Sequence, residues 1–188
     1  MPVLFAVLGQ QIGLNMTLAL APAHVLVKVQ DESGRWFNVE ATGGGYKADS
    51  SYIRDTRITD RALATGIYLE PLSKRESAAV LLAILMEFHR DMPDQVKVIA
   101  ELALSLHPRF VEAMLHLGSA NYRQRLLHFG LQAGIDDNPE KDRAEFLRHS
   151  RANVEWFRRA EDLGWVEPTI EQRNQYLETL EREKERHR

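Results

Sequence analysis

The strongest constraint on the fold is a parity rule set by two short alternating runs. Val25, Val27 and Val29 are apolar at every second position, and so are Phe37, Val39 and Ala41. Successive strand side chains point to opposite faces, so a one-residue slip would send a whole apolar set to the wrong side. The two sets share one buried face only if the connecting loop holds an odd number of residues. A three-residue loop, Glu32-Ser33-Gly34, meets this condition, with Gly34 in the left-handed conformation such loops need. The opposite face then carries His24, Leu26 and Lys28 beside Trp36, Asn38 and Glu40. In this register Leu26 stands opposite Glu40, and His24 lies diagonally next to it, within side-chain reach.

Around this hairpin the chain is punctuated clearly. Residues 2–12 are apolar nearly all round (Val3, Leu4, Phe5, Val7, Leu8, Ile12), which predicts a short helix buried in the middle of a core. Pro2 suits its first turn and Gly13 its stop. Residues 15–21 read as a strand ended by Pro22. Gly43-Gly44-Gly45 breaks the acid-bearing strand, and about 27 less regular residues follow, with a short helix near 59–65. From Ser73 onward the pattern is helical. Ser73 and Glu76 form a capping box, Pro93-Asp94 starts a second helix that stops before Pro108, and a third covers about 110–129. Asn138-Pro139-Glu140 starts a fourth that ends at Gly164, and Pro168-Thr169 a last one with a charged, solvated end over 181–188. The expected fold class is α+β, with a mixed unit over 1–72 and a helical unit over 73–188.

Composition narrows the function classes. The 188 residues carry 44% hydrophobic and 27% charged side chains, as an ordinary globular protein does. A formal charge of −3 gives no electrostatic ground for nucleic-acid binding. No apolar run approaches the roughly 20 residues of a membrane-spanning helix. Residues 1–8 lack the basic start of a signal peptide, so the cytoplasm is the default location. There is no cysteine, hence no disulfide and no thiolate metal site.

Three segments carry a family resemblance. Trp36, Glu40 and Thr42 have the spacing of a Trp, three residues, an acid, one residue and a Thr. Pro22-Ala23-His24 opens the preceding strand, and residues 1–14 supply a helix and its stop. In this order they resemble the transglutaminase-like branch of the papain-like fold, with Glu in place of the usual Asp. The resemblance implies that His24 is the base and Glu40 the acid that orients it, in a Cys-His-acid set performing acyl transfer or amide hydrolysis. It implies a nucleophilic cysteine about three positions ahead of Met1, so that the chain starts inside the first turn of the nucleophile helix and is inactive as it stands. That logic is physical as well: a helix N-terminus favours a thiolate, a histidine accepts its proton and an acid fixes the imidazole. Ser33, Ser50, Ser51 and Thr17 are not placed to substitute for the thiol.

Residues 95–122 resemble a tetratricopeptide repeat. Residues 100–108 look like the second helix of one unit with its closing Pro108, and residues 112–122 like the first helix of the next. Small residues (Ala103, Ala113, Gly118, Ala120) interleave with large ones at the helix crossings. Barely two units are present, fewer than a free-standing array needs. Together the two resemblances imply a partial papain/transglutaminase-like core followed by helical repeats, with a protein or peptide partner held by the repeats. The alternative function is a non-catalytic scaffold using that helical surface, in which the His24 and Glu40 pair is structural.

Other features have plainer readings. Trp36 is a hydrophobic anchor. The three glycines form a rim beside the site, since no Lys-Ser/Thr follows as in a phosphate loop. His89, His107, His116, His128, His149 and His187 show no ligand spacing, so neither metal nor cofactor is expected. Arg158 and Arg159 belong to a solvated face.

Overall fold

A computed structural model describes residues 1–41, 44–129, 139–172, 174, 175, 178 and 181 of the chain. Helix α1 (Pro2–Gln11) is followed by strands β1 (Met16–Ala21), β2 (His24–Gln30) and β3 (Trp36–Val39). The helices α2 (Asp49–Thr56), α3 (Asp60–Thr65), α4 (Lys74–Phe88), α5 (Pro93–Leu106), α6 (Val111–Phe129) and α7 (Pro139–Asp162) complete the order. Helical residues resume at Ile170, where the backbone N–H groups and side chains of Thr169 and Gln172 cap each other. Residues 182–188, most of the charged end, and the Asn138 cap lie outside the described residues. The class is α+β: one antiparallel three-stranded sheet, β1-β2-β3, among helices.

The parity rule holds. Val27 pairs with Val39 and Val29 with Phe37, and the backbone N–H of Asp31 bonds the carbonyl of Arg35 at 2.9 Å, leaving three residues in the loop. Gly34 takes φ +83°. The ladder ends sooner than the alternation suggests, at Val39. Beyond it the Glu40 N–H turns to the carbonyl of Gly45 at 3.0 Å, and Val39 bridges Tyr46. Gly44 and Gly45 make this return at φ +73° and +89°, values a side chain would strain.

The sheet is buried on both faces, not one. The face carrying Met16, Leu18 and Val27 meets Ala6 of α1, Ala79, Val80 and Met86 of α4, and Leu117 of α6. The face carrying Ala19, Ala21 and Leu26 meets Tyr52 of α2, Ala62 of α3, Met114 of α6 and Ala160 of α7. Both clusters draw on residues from either side of position 72. The second face closes because Gly44 and Gly45 turn the chain back across it, which alternation within the strands does not encode.

Helix α1 departs from the expected buried helix. Ala6 and Gly9 are its buried residues, while Leu8 and Ile12 are 56% and 78% exposed. The sheet covers one side of α1, and among the described residues no element packs across the other. Gly9 packs on Met16, and the Gln10 side-chain amide donates to the Met16 carbonyl at 2.7 Å, so the end of α1 lies beside the start of β1. Helix α1 packs on the face of Met16, Leu18 and Val27, whereas His24 shares the opposite face with Ala21 and Leu26.

The helical half follows its punctuation. Ser73 and Glu76 form the reciprocal capping box, and Pro93 opens α5. Ala103, Ala113 and Ala120 are buried, and Gly118 lies under the Phe157 ring of α7. Between α5 and α6 the His107 ring is 1% exposed, stacked on Phe110 at 5.6 Å, and among the described residues neither ring nitrogen has a hydrogen-bond partner. Burial pushes this imidazole below the ordinary histidine range; Glu76, 3.4 Å from Nδ1, opposes the shift and Arg109 adds to it. The unfolded chain thus binds this proton more readily than the folded one. The stability that His107 contributes is complete above about pH 6.5 and falls as pH drops through the lower folded value. His107→Gln is expected to flatten the loss of urea resistance between pH 7.5 and pH 5. An unchanged slope would count against it.

Candidate functional site

The histidine strand and the acid strand bring the expected pair together. His24 opens β2 after a turn in which Ala23 adopts φ +54°, and Glu40 follows the last residue of β3. His24 Nε2 lies 3.2 Å from Glu40 Oε2, with the two side chains 26% and 20% exposed. The ring nitrogen facing the carboxylate is Nε2, which leaves Nδ1 as the atom able to take up a proton.

A third residue, not singled out in the sequence, completes the cluster. The Tyr52 hydroxyl of α2 donates to the same Glu40 Oε2 at 2.9 Å, and its ring stacks on His24 with centroids 5.9 Å apart and planes at 28°. Burial, and then the bond to Glu40, push the Tyr52 phenol well above its ordinary range, so it stays protonated. Helix α2 is short and carries only Tyr52 and Ile53 as large apolar residues, too few for a helical period to show.

Tyr52 is held in place by a polar knot under α2. Lys28 Nζ and Asn38 Nδ2 both donate to Asp49 Oδ1, at 3.2 and 2.6 Å, and Asn38 Nδ2 also donates to the Lys47 carbonyl at 2.9 Å. Lys28 and Asn38 are cross-strand partners on the His24 face, so the hairpin register itself builds the socket for Asp49. Lys47 Nζ sits 4.6 Å from the centre of the Tyr52 ring.

No hydroxyl among the described residues stands in for a thiol beside His24. Ser33 is tied to Asp31 in the hairpin loop, and Thr17 donates to the Leu72 carbonyl from the far end of β1. Ser50 and Ser51 begin α2, and among the described residues neither bonds His24. Trp36 is half-buried at the loop end of β3, paired with Gln30. Gly44 and Gly45 make the turn beside the pair; Thr42 and Gly43 lie outside the described residues.

Other histidines sit in helix-side contacts: His89 with the Leu85 carbonyl, His116 with Glu112, and His149 with Asn121. Among the described residues no three His, Asp or Glu side chains gather as a metal ligand set, and no helix is long and apolar enough to cross a membrane. A cleft of about 360 Å³ lined by Thr65, Glu70, Glu76 and Arg109 lies away from the pair. No family model, curated protein or solved structure matches the chain.

Proposed function

We propose that His24 and Glu40 are the base and orienting acid of a transglutaminase-like Cys-His-acid site whose thiol is not among these 188 residues. The single observation carrying this reading is the 3.2 Å contact between His24 Nε2 and Glu40 Oε2. A thiol in the first turn of α1 gains from the unpaired amides and the dipole there. Its proton goes to His24 Nδ1, the thiolate attacks an acyl carbonyl, and the proton is delivered to the departing amine. Water or a second amine then releases the acyl group. The chain as it stands performs none of these steps.

Pro2, at the first position of α1, sets the range in which a thiol is worth testing. A proline is tolerated in the first turn of a helix and not deep inside it, so α1 extends upstream by no more than about one turn. The test supplies the thiol by adding a cysteine one, two or three residues ahead of Met1 and following its alkylation by iodoacetamide against pH. At one of the three positions, alkylation at pH 6 is expected to be at least tenfold faster than in the same chain with His24→Ala. Equal rates in both backgrounds at all three positions would sink the proposal.

One observation favours the second reading, a non-catalytic scaffold that holds a protein or peptide on the repeat-like helices. Leu81, Ile84, Leu85 and Phe88 form an exposed stripe on α4 at helical spacing, with Phe88 83% exposed. A cysteine that stays inert at all three positions would leave this reading as the better one.

A further inference from the structure

We propose that Tyr52 is a positioning residue of the His24–Glu40 pair, its hydroxyl fixing the carboxylate and its ring fixing the imidazole plane. The proposal rests on reading the pair as base and orienting acid.

Three observations converge on it. One carboxylate oxygen, Glu40 Oε2, lies within hydrogen-bond distance of both the Tyr52 hydroxyl and His24 Nε2. An oxygen that accepts from the phenol is oriented as an acceptor toward the imidazole as well, so His24 presents Nε2–H to it. The stacked ring limits the imidazole from one side at 5.9 Å and 28°, restricting the rotation that would swing Nδ1 away. Tyr52 itself is only 2% exposed, so water does not compete for its hydroxyl.

The anchoring of α2 makes this arrangement rigid. Asp49 is bonded to Lys28 and Asn38 on the sheet, and Thr56 donates to the Tyr52 carbonyl at 2.7 Å. Lys47, whose ammonium lies over the Tyr52 ring, also pairs with Asp55 of α2 at 3.2 Å. The residue that orients the acid is thus delivered by a separate helix, locked to the same two strands that carry the pair. An acid without this donor would retain its charge but lose one of the bonds that set its direction.

The experiment uses the unaltered chain and Tyr52→Phe, which keeps the ring and removes only the hydroxyl. NMR spectroscopy of the unaltered chain is expected to show a slowly exchanging His24 Nε2–H proton with a cross-relaxation peak to the Tyr52 hydroxyl proton. In Tyr52→Phe, with the fold verified by its amide spectrum, exchange of that Nε2–H is expected to accelerate at least fivefold. Absence of the cross-peak, or unchanged exchange in Tyr52→Phe, overturns the proposal. The cross-peak does not depend on Tyr52→Phe folding. It is also independent of the added cysteine: an inert thiol with the cross-peak present defeats the catalytic reading alone, and a reactive thiol without it defeats the role of Tyr52 alone.

Discussion

Gly164→Ala is expected to destabilise the chain by about 3 kcal/mol or more, because backbone strain and a backbone clash fall on one atom. Gly164 has φ +102°, where a side chain is strained whatever the space around it. A Cβ there would stand 2.8 Å from Ala62 Cα and 2.9 Å from the Arg61 carbonyl carbon, and closer still to the Ala62 nitrogen. These are backbone atoms of α3 and cannot rotate aside. Moving α3 away would release the bonds that satisfy the carbonyls at and just beyond the end of α7. Thr59 donates to Gly164 at 2.8 Å, Thr65 to Leu163 at 2.6 Å and Arg61 to Asp162 at 2.6 Å. The measurement is urea unfolding of Gly164→Ala beside Gly13→Ala, a left-handed glycine at φ +88° with nothing within 4 Å of its Cβ position. The control isolates the conformational cost, about 1 kcal/mol. Equal losses in the two variants would show that the close approach of α3 and α7 contributes nothing.

The hairpin was legible because parity leaves little freedom: two alternating sets and an odd loop fix which side chains face each other, and His24 and Glu40 follow from it. Helix starts were legible where a cap and a first-turn residue coincide, as at Ser73 with Glu76 and at Pro93. What alternation omits is what lies over each face. Leu26, Lys28 and Asn38 belong by alternation to an outer face and are nearly fully buried, because the turn at Gly44 and Gly45 lays α2 across them. Helix α1 errs the opposite way. An all-apolar sequence reports capacity for burial, but only the Ala6 and Gly9 side meets the sheet. Tyr52 stayed hidden for a third reason: a lone aromatic in an eight-residue polar helix has no period, and its role exists only once that helix is docked.

Docking of α2 leads to an asymmetric prediction about the polar knot. Asp49→Ala is expected to cost about 2–3 kcal/mol, and Lys28→Met to be nearly neutral. The Lys28 side chain is 4% exposed, and its ammonium has Asp49 as an ion-pair partner at 3.2 Å. Removing the carboxylate strands a buried charge, whereas a methionine of similar length fills the same channel with no charge to compensate. The cost stays below that of a fully enclosed pair because Asp49 is 53% exposed and water already screens it. Asn38 adds to the asymmetry: among the described residues, with Asp49 gone, Nδ2 retains only the Lys47 carbonyl, and Oδ1 is already buried without a partner. The double variant Lys28→Met/Asp49→Ala should therefore recover most of the loss seen in Asp49→Ala alone. Urea unfolding of the four chains closes the double-mutant cycle. If the double variant were as unstable as Asp49→Ala, the penalty would lie in the first turn of α2 rather than in the uncompensated ammonium of Lys28.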